Sequence, residues 1–141
     1  MRRTSAHHPK TVLVVDDDRG ICGVMSVLLQ QAGYRVLRAL DGEEALNVSS
    51  LYAERIDLLI ADIAMPGISG PNLARRLKQN RPDLRLLFIS GLVSEQNFQG
   101  VLGGAYLRKP FLPRVFLEKV RDLLAVPSDH ETEDRAKTRS L

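Results

Sequence analysis

Val12-Leu13-Val14-Val15-Asp16-Asp17-Asp18 decides how the rest of this chain is read. Four aliphatic residues run without a polar interruption into three consecutive carboxylates. A strand that is apolar at every position has both faces covered, as in parallel sheets with helices on either side. Carboxylates at its carboxyl end put charge on the edge where open parallel sheets bind ligands.

Four more short apolar runs read as strands: Tyr34–Ala39, Asp57–Ala61, Leu84–Ile89 and Ala105–Arg108, after a first strand over Thr11–Val15. Helical patterns lie between them. Ile21, Val24, Met25, Leu28 and Leu29 keep a 3.6-residue spacing, and Gly33 stands where a helix C-terminus favours glycine. A second helix is expected over Glu43–Ala53, and a third around Leu73, Ala74 and Leu77, ending before Pro82. Val115, Phe116, Val120, Leu123 and Leu124 mark a last one, opened by Pro113. The connection from Gly91 to Gly104 carries four glycines, so a helix there is expected to be short or irregular. Strand alternating with helix predicts an α/β fold, a doubly wound five-stranded parallel sheet with helices on both sides; in the order 2-1-3-4-5, one of the common orders for such sheets, strands 1 and 3 are neighbours.

Composition agrees. The 141 residues are 44% hydrophobic and 26% charged, enough for one domain with a core of its own. The single Cys22 forms no internal disulfide and reads as a small, partly buried helix residue. No apolar run approaches the roughly 18 residues of a membrane span, and the run at Val12–Val15 is too short for a signal peptide. A cytoplasmic protein is expected, with no membrane contact. The net charge of +3 sits on residues 1–10, whose only charges are Arg2, Arg3 and Lys10. Residues 11–126 balance at 14 basic against 13 acidic, which gives nucleic acid no concentrated patch. Residues 1–10, with His7 and His8, read as a flexible basic arm, and 127–141 as a flexible polar tail. Those last 15 residues are too few for a helix-turn-helix domain, so no nucleic-acid partner is expected.

The chemistry-bearing residues share one edge. Asp16 and Asp17 follow the first strand, Asp62 closes the third, Ser90 the fourth and Lys109 the fifth. With strands 1 and 3 adjacent, the carboxylates converge. Clustered carboxylates oppose one another's ionisation, and a hard divalent cation relieves that. A cation, a lysine and a hydroxyl around a carboxylate make a site for a phosphoryl group, and the carboxylate itself can be the nucleophile. Asp18 reads better as the cap of the first helix than as a ligand.

Four segments now carry a resemblance. Val12–Asp18, Leu59-Ile60-Ala61-Asp62-Ile63-Ala64-Met65-Pro66-Gly67, Leu87-Phe88-Ile89-Ser90-Gly91 and Leu107-Arg108-Lys109-Pro110-Phe111 resemble the signature segments of bacterial response-regulator receiver domains of two-component signalling. The resemblance covers about residues 10–126, with the domain set at 11–126. It implies a flavodoxin-like fold, with Asp62 accepting a phosphoryl group from a histidine kinase or histidine phosphotransfer protein. Asp16, Asp17, Asp62 and the backbone carbonyl of Ala64 would hold Mg²⁺, with Mn²⁺ as the alternative ion. Ser90 and Lys109 would contact the phosphoryl group, and Pro110 would follow a cis peptide. Tyr106 resembles the aromatic switch that turns inward with the serine, and reads equally as an edge-strand aromatic. A downstream protein target would then sense the face near the fourth helix, the fifth strand and the last helix.

Two departures from the family pattern carry expectations. Ala64 and Leu92 are apolar where the family often has side chains that influence water near the phosphoryl group, so a long-lived phosphorylated state is expected. Only 18 residues separate Ser90 from Lys109, which is more similar to stand-alone or hybrid-kinase receivers than to those fused to DNA-binding domains. Two rivals stand beside this reading. Asp16-x-Asp18, Ser90 and Lys109 also resemble haloacid-dehalogenase-like phosphatases, with Asp16 as nucleophile. That leaves Asp62 without a role and lacks the acidic pair expected after the lysine. The other rival is a pseudo-receiver that binds partners without phosphorylation. No enzyme activity is expected beyond self-catalysed phosphotransfer and autodephosphorylation.

Overall fold

The structure, a computed structural model, describes residues 8–91 and 103–125. Its strands are β1 (Thr11–Val15), β2 (Arg35–Ala39), β3 (Leu58–Asp62), β4 (Arg85–Ser90) and β5 (Ala105–Arg108). Its helices are α1 (Arg19–Gln31), α2 (Gly42–Leu51), α3 (Gly70–Asn80) and α4 (Pro113–Ala125). All strand pairs are parallel and the order is β2-β1-β3-β4-β5, as the sequence predicts. The expectation of an irregular helix between Gly91 and Gly104 falls mostly on residues outside the described ones. So do those for residues 1–7 of the arm and for the tail.

Alternation along the strands builds two cores. Leu13 and Val15 of β1 face one side with Leu59, Ala61 and Phe88, where α2 and α3 add Ala45, Leu73 and Leu77. Val12 and Val14 face the other with Ile60 and Ile89, where α1 and α4 add Met25, Leu29, Phe116 and Val120. Every residue of β1 and β3 is buried, which is why those runs carry no polar alternation. The edge strand β2 instead exposes Arg35 and Arg38, charges that discourage edge-to-edge pairing.

Helix starts are set locally. Asp18, Asp41 and Ser69 each accept a backbone N–H from three residues on, at Ile21, Glu44 and Asn72. The capping role expected of Asp18 is therefore observed. Strand ends move by one residue from the sequence reading: Tyr34, Asp57 and Leu84 fall outside the strands, while Asp62 and Ser90 fall inside. Asp57 serves the opposite edge of the sheet, where its carboxylate accepts the Thr11 N–H at 2.8 Å and pairs with Arg55 at 2.9 Å. Cys22 is fully buried rather than partly so, because its position on α1 faces the sheet, with Sγ 3.9 Å from the Ala39 carbonyl.

Candidate functional site

The carboxyl edge of the sheet collects the predicted residues. β1 delivers Asp16, fully buried, and β3 delivers Asp62, nearly so. Asp17 is exposed. One carboxylate oxygen from each of the three lies within 4.8 Å of the others. From the end of β5, Lys109 Nζ donates to Asp16 Oδ2 and to Asp62 Oδ2, both at 2.8 Å. The remaining oxygens are held by backbone: Asp16 Oδ1 accepts the Asp18 N–H at 2.9 Å, and Asp62 Oδ1 the Ala64 N–H at 3.1 Å. Two carboxylates drawn from strands 46 positions apart are thus fixed in orientation and joined by one ammonium.

Electrostatics follow from burial. Loss of water pushes the Asp16 carboxyl above its ordinary value of 3.8, against the opposing pull of Lys109 and the Asp18 amide. Burial would lower the Lys109 ammonium, but its two carboxylate partners outweigh it and hold the group above its ordinary 10.5. The site therefore keeps a charged lysine against carboxylates that lack full hydration.

Ser90 is buried at the end of β4, and its carbonyl accepts the Lys109 N–H at 3.1 Å. The same carbonyl accepts the Tyr106 hydroxyl at 3.3 Å. Tyr106 is turned inward, with 7% of its surface exposed. The Lys109–Pro110 peptide is cis, as expected. After Asp62, the turn through Met65 and Pro66 closes on Gly67, whose φ of 78° is readily adopted by glycine.

The donor set fits a hard cation. Mg²⁺ takes oxygen ligands at about 2.1 Å in an octahedron, so neighbouring and opposite ligand oxygens stand about 3 and 4.2 Å apart. One oxygen from each of Asp16, Asp17 and Asp62 lies within 4.8 Å of the others, a spacing compatible with a shared divalent cation.

Two features escape a reading of the sequence. A concavity of about 520 Å³ opens beside Lys109, lined by Gly20, Ile21, Val24, Gly91, Pro110 and Phe111. Its residues come from three separate segments, and Val24, which helical spacing groups with the core face of α1, is exposed there. The other is the close approach of Gly70 to the backbone of Asp62, signalled only by a glycine at the start of α3.

The comparisons agree with this architecture. The response regulator receiver domain family matches residues 12–121. The phosphate regulon transcriptional regulatory protein PhoB of Pseudomonas aeruginosa is 36% identical over 129 residues, covering 86% of this chain and 56% of PhoB. The crystal structure of the receiver domain from the hybrid histidine kinase CckA superposes with a TM-score of 0.71 at 37% identity, over 81% of this chain and 98% of that one. The response regulator TrrA of Thermotoga maritima, crystallised in complex with Mg²⁺ and BeF, gives 0.70 at 32% identity, over 81% and 98%. This fold, with its acidic edge and bridging lysine, is that of a two-component signalling module. The chain belongs to the response regulator receiver domain family. It spans about half the length of the curated transcriptional regulators it matches. Among the described residues no helix is long and apolar enough to cross a membrane.

Proposed function

We propose that this chain receives a phosphoryl group on Asp62 from a phosphohistidine donor and passes the event on as a change in partner binding. The observation that carries the proposal is Lys109 Nζ bridging Asp16 and Asp62 at 2.8 Å, beside a third carboxylate on Asp17. In the transfer, a carboxylate oxygen of Asp62 forms a bond to phosphorus as the bond to the donor imidazole nitrogen breaks, and the imidazole leaves with that electron pair. Mg²⁺, when bound, neutralises charge on the phosphoryl oxygens. Asp16, Asp17 and Asp62 would hold it, with the carbonyl of Ala64.

The chain's own groups do the rest. The Ala64 amide orients Asp62 through Oδ1. Lys109 already touches the nucleophile and follows the incoming negative charge without travelling far. The Ser90 hydroxyl is assigned to the phosphoryl oxygens, and Tyr106 reports the change through its bond to the Ser90 carbonyl. An aspartyl phosphate adds charge of roughly −1.5 to −2, and the new contacts bias a pre-existing equilibrium. The apolar concavity beside Lys109 is assigned to the donor, because Lys109, which touches the nucleophile, lines it together with exposed Val24. Histidine kinase or phosphotransfer protein would dock there, in the cytoplasm, and a protein target would read the result.

Intact mass after incubation with acetyl phosphate and Mg²⁺, beside an Asp62→Asn control, tests this. One Mg²⁺-dependent phosphoryl group, absent from the control, is expected. No gain, with Mg²⁺ binding shown separately, would establish the pseudo-receiver. A gain surviving in the control would point to Asp16 and a phosphatase-like reaction.

A further inference from the structure

We infer that Gly42, outside the charged cluster, is a positioning residue for Asp62, acting with Gly70 to clasp the loop between β3 and α3. The inference rests on the reading of Asp62 as phosphoacceptor. At one end of the loop, a Cβ on Gly70 would stand 2.3 Å from the carbonyl oxygen of Asp62 and 3.2 Å from Cα of Ile63. The Gly70 N–H instead donates to the Ile63 carbonyl at 3.0 Å. At the other end, a Cβ on Gly42 would stand 2.7 Å from Cβ of Ile68, 3.2 Å from Cγ2 and 3.4 Å from Cδ1. Gly42 opens α2 with no positive φ, so alanine there is conformationally allowed, and only Ile68 objects.

Neither wall yields cheaply. The Asp41 carboxylate pins the first turn of α2 through the Glu44 N–H at 2.8 Å, and the Ser69 hydroxyl caps α3 directly behind Ile68. A side chain at position 42 therefore pushes Ile68 and the loop it belongs to. That loop carries Ala64, whose amide holds Asp62 Oδ1. The absence of a side chain at Gly42 thus sets where the nucleophile points. Small displacements of a reacting group cost large factors in rate, which is how a contact this remote reaches the chemistry.

The test is a double-mutant cycle on the full chain: Gly42→Ala, Ile68→Ala and the pair. Two readouts are taken, the rate of Asp62 phosphorylation by acetyl phosphate at saturating Mg²⁺ and the amide NMR resonance of Ala64. We expect Gly42→Ala to slow phosphorylation about tenfold or more and to move the Ala64 resonance. Truncating Ile68 in that background should restore most of both. Loss of helix propensity does not account for such a result, since alanine is a better helix former than glycine and the φ at position 42 is open to it. A Gly42→Ala chain as fast as wild type, or slow and not improved by Ile68→Ala, overturns the inference. So does one that unfolds whether or not Ile68 is truncated. If the wild type takes up no phosphoryl group, the functional reading fails, and the Ala64 resonance still decides whether Gly42 acts through Ile68.

Discussion

Lys109 Nζ lies 2.8 Å from Asp62 Oδ2, across 47 residues of chain, and the same ammonium reaches Asp16 at an equal distance. One cation thus holds together two carboxylates from separate strands, and offsets the burial that pushes the Asp16 carboxyl upward. The relationship has consequences for stability as well as for chemistry.

Lys109→Met should destabilise the fold by about 3 kcal/mol at neutral pH, because it leaves the buried Asp16 without its cation. The dependence on pH has a definite sign. Lys109 is held above its ordinary value in the fold, so its contribution is complete below 10.5 and is lost as pH rises through the higher folded value. Thermal melts in steps from about pH 9 to 11.5 should show wild type losing its advantage over Lys109→Met. A gap that stays constant over that range would contradict the prediction.

Asp16→Asn should raise the melting temperature in EDTA by a few degrees at pH 7. The folded carboxyl is raised by burial, so the native state holds its proton more tightly than the unfolded chain and ionisation costs stability as pH rises above 3.8. The neutral amide removes that cost, and its advantage narrows toward acid. The same variant should lose the Mg²⁺-dependent rise in melting temperature shown by wild type. Calorimetry with and without the ion reads both effects.

Ala64 donates its amide to Asp62 and offers no polar side-chain atom to guide a water toward a phosphoryl group there. Ala64→Asn should therefore shorten the half-life of phosphorylated Asp62, several-fold or more, with little change in uptake. Decay of the phosphorylated mass peak after removal of donor measures it. Equal decay in the two proteins would remove the basis for a long-lived state.

Arg81, just past α3, closes the C-terminal end of α2. Its guanidinium donates to Ser49 Oγ at 2.9 Å and to the carbonyls of Ser49, Tyr52 and Glu54 at 3.0, 2.7 and 2.8 Å. Arg81→Ala should cost about 2 kcal/mol, or roughly 8 °C in melting temperature, since hydrogen bonds from a charged donor are lost and carbonyls are stranded. Phosphorylation should be unchanged, because this cluster sits at the far end of α2 from Asp62. A clear fall in phosphorylation rate in a folded Arg81→Ala protein would show the two ends to be coupled.

Architecture, and the grouping of charged and hydroxyl side chains on one edge of the sheet, were legible in the amino-acid order. Apolar runs such as Val12–Val15 and Leu58–Ala61 demand burial on both faces, and helical spacing between them leaves a parallel sheet as the economical solution. The strand ends then fix which side chains share an edge, so Asp16, Asp62, Ser90 and Lys109 were legible before any coordinate. Tertiary structure alone decided what depends on angles and close approach. It made Lys109 a bridge and not merely a neighbour, and turned Tyr106 inward onto the Ser90 carbonyl. It also brought Arg81 across to α2 and set Gly42 against Ile68. Periodicity says which face a residue occupies; contacts between segments dozens of residues apart depend on how helices seat on the sheet, and that is settled only when both cores are packed.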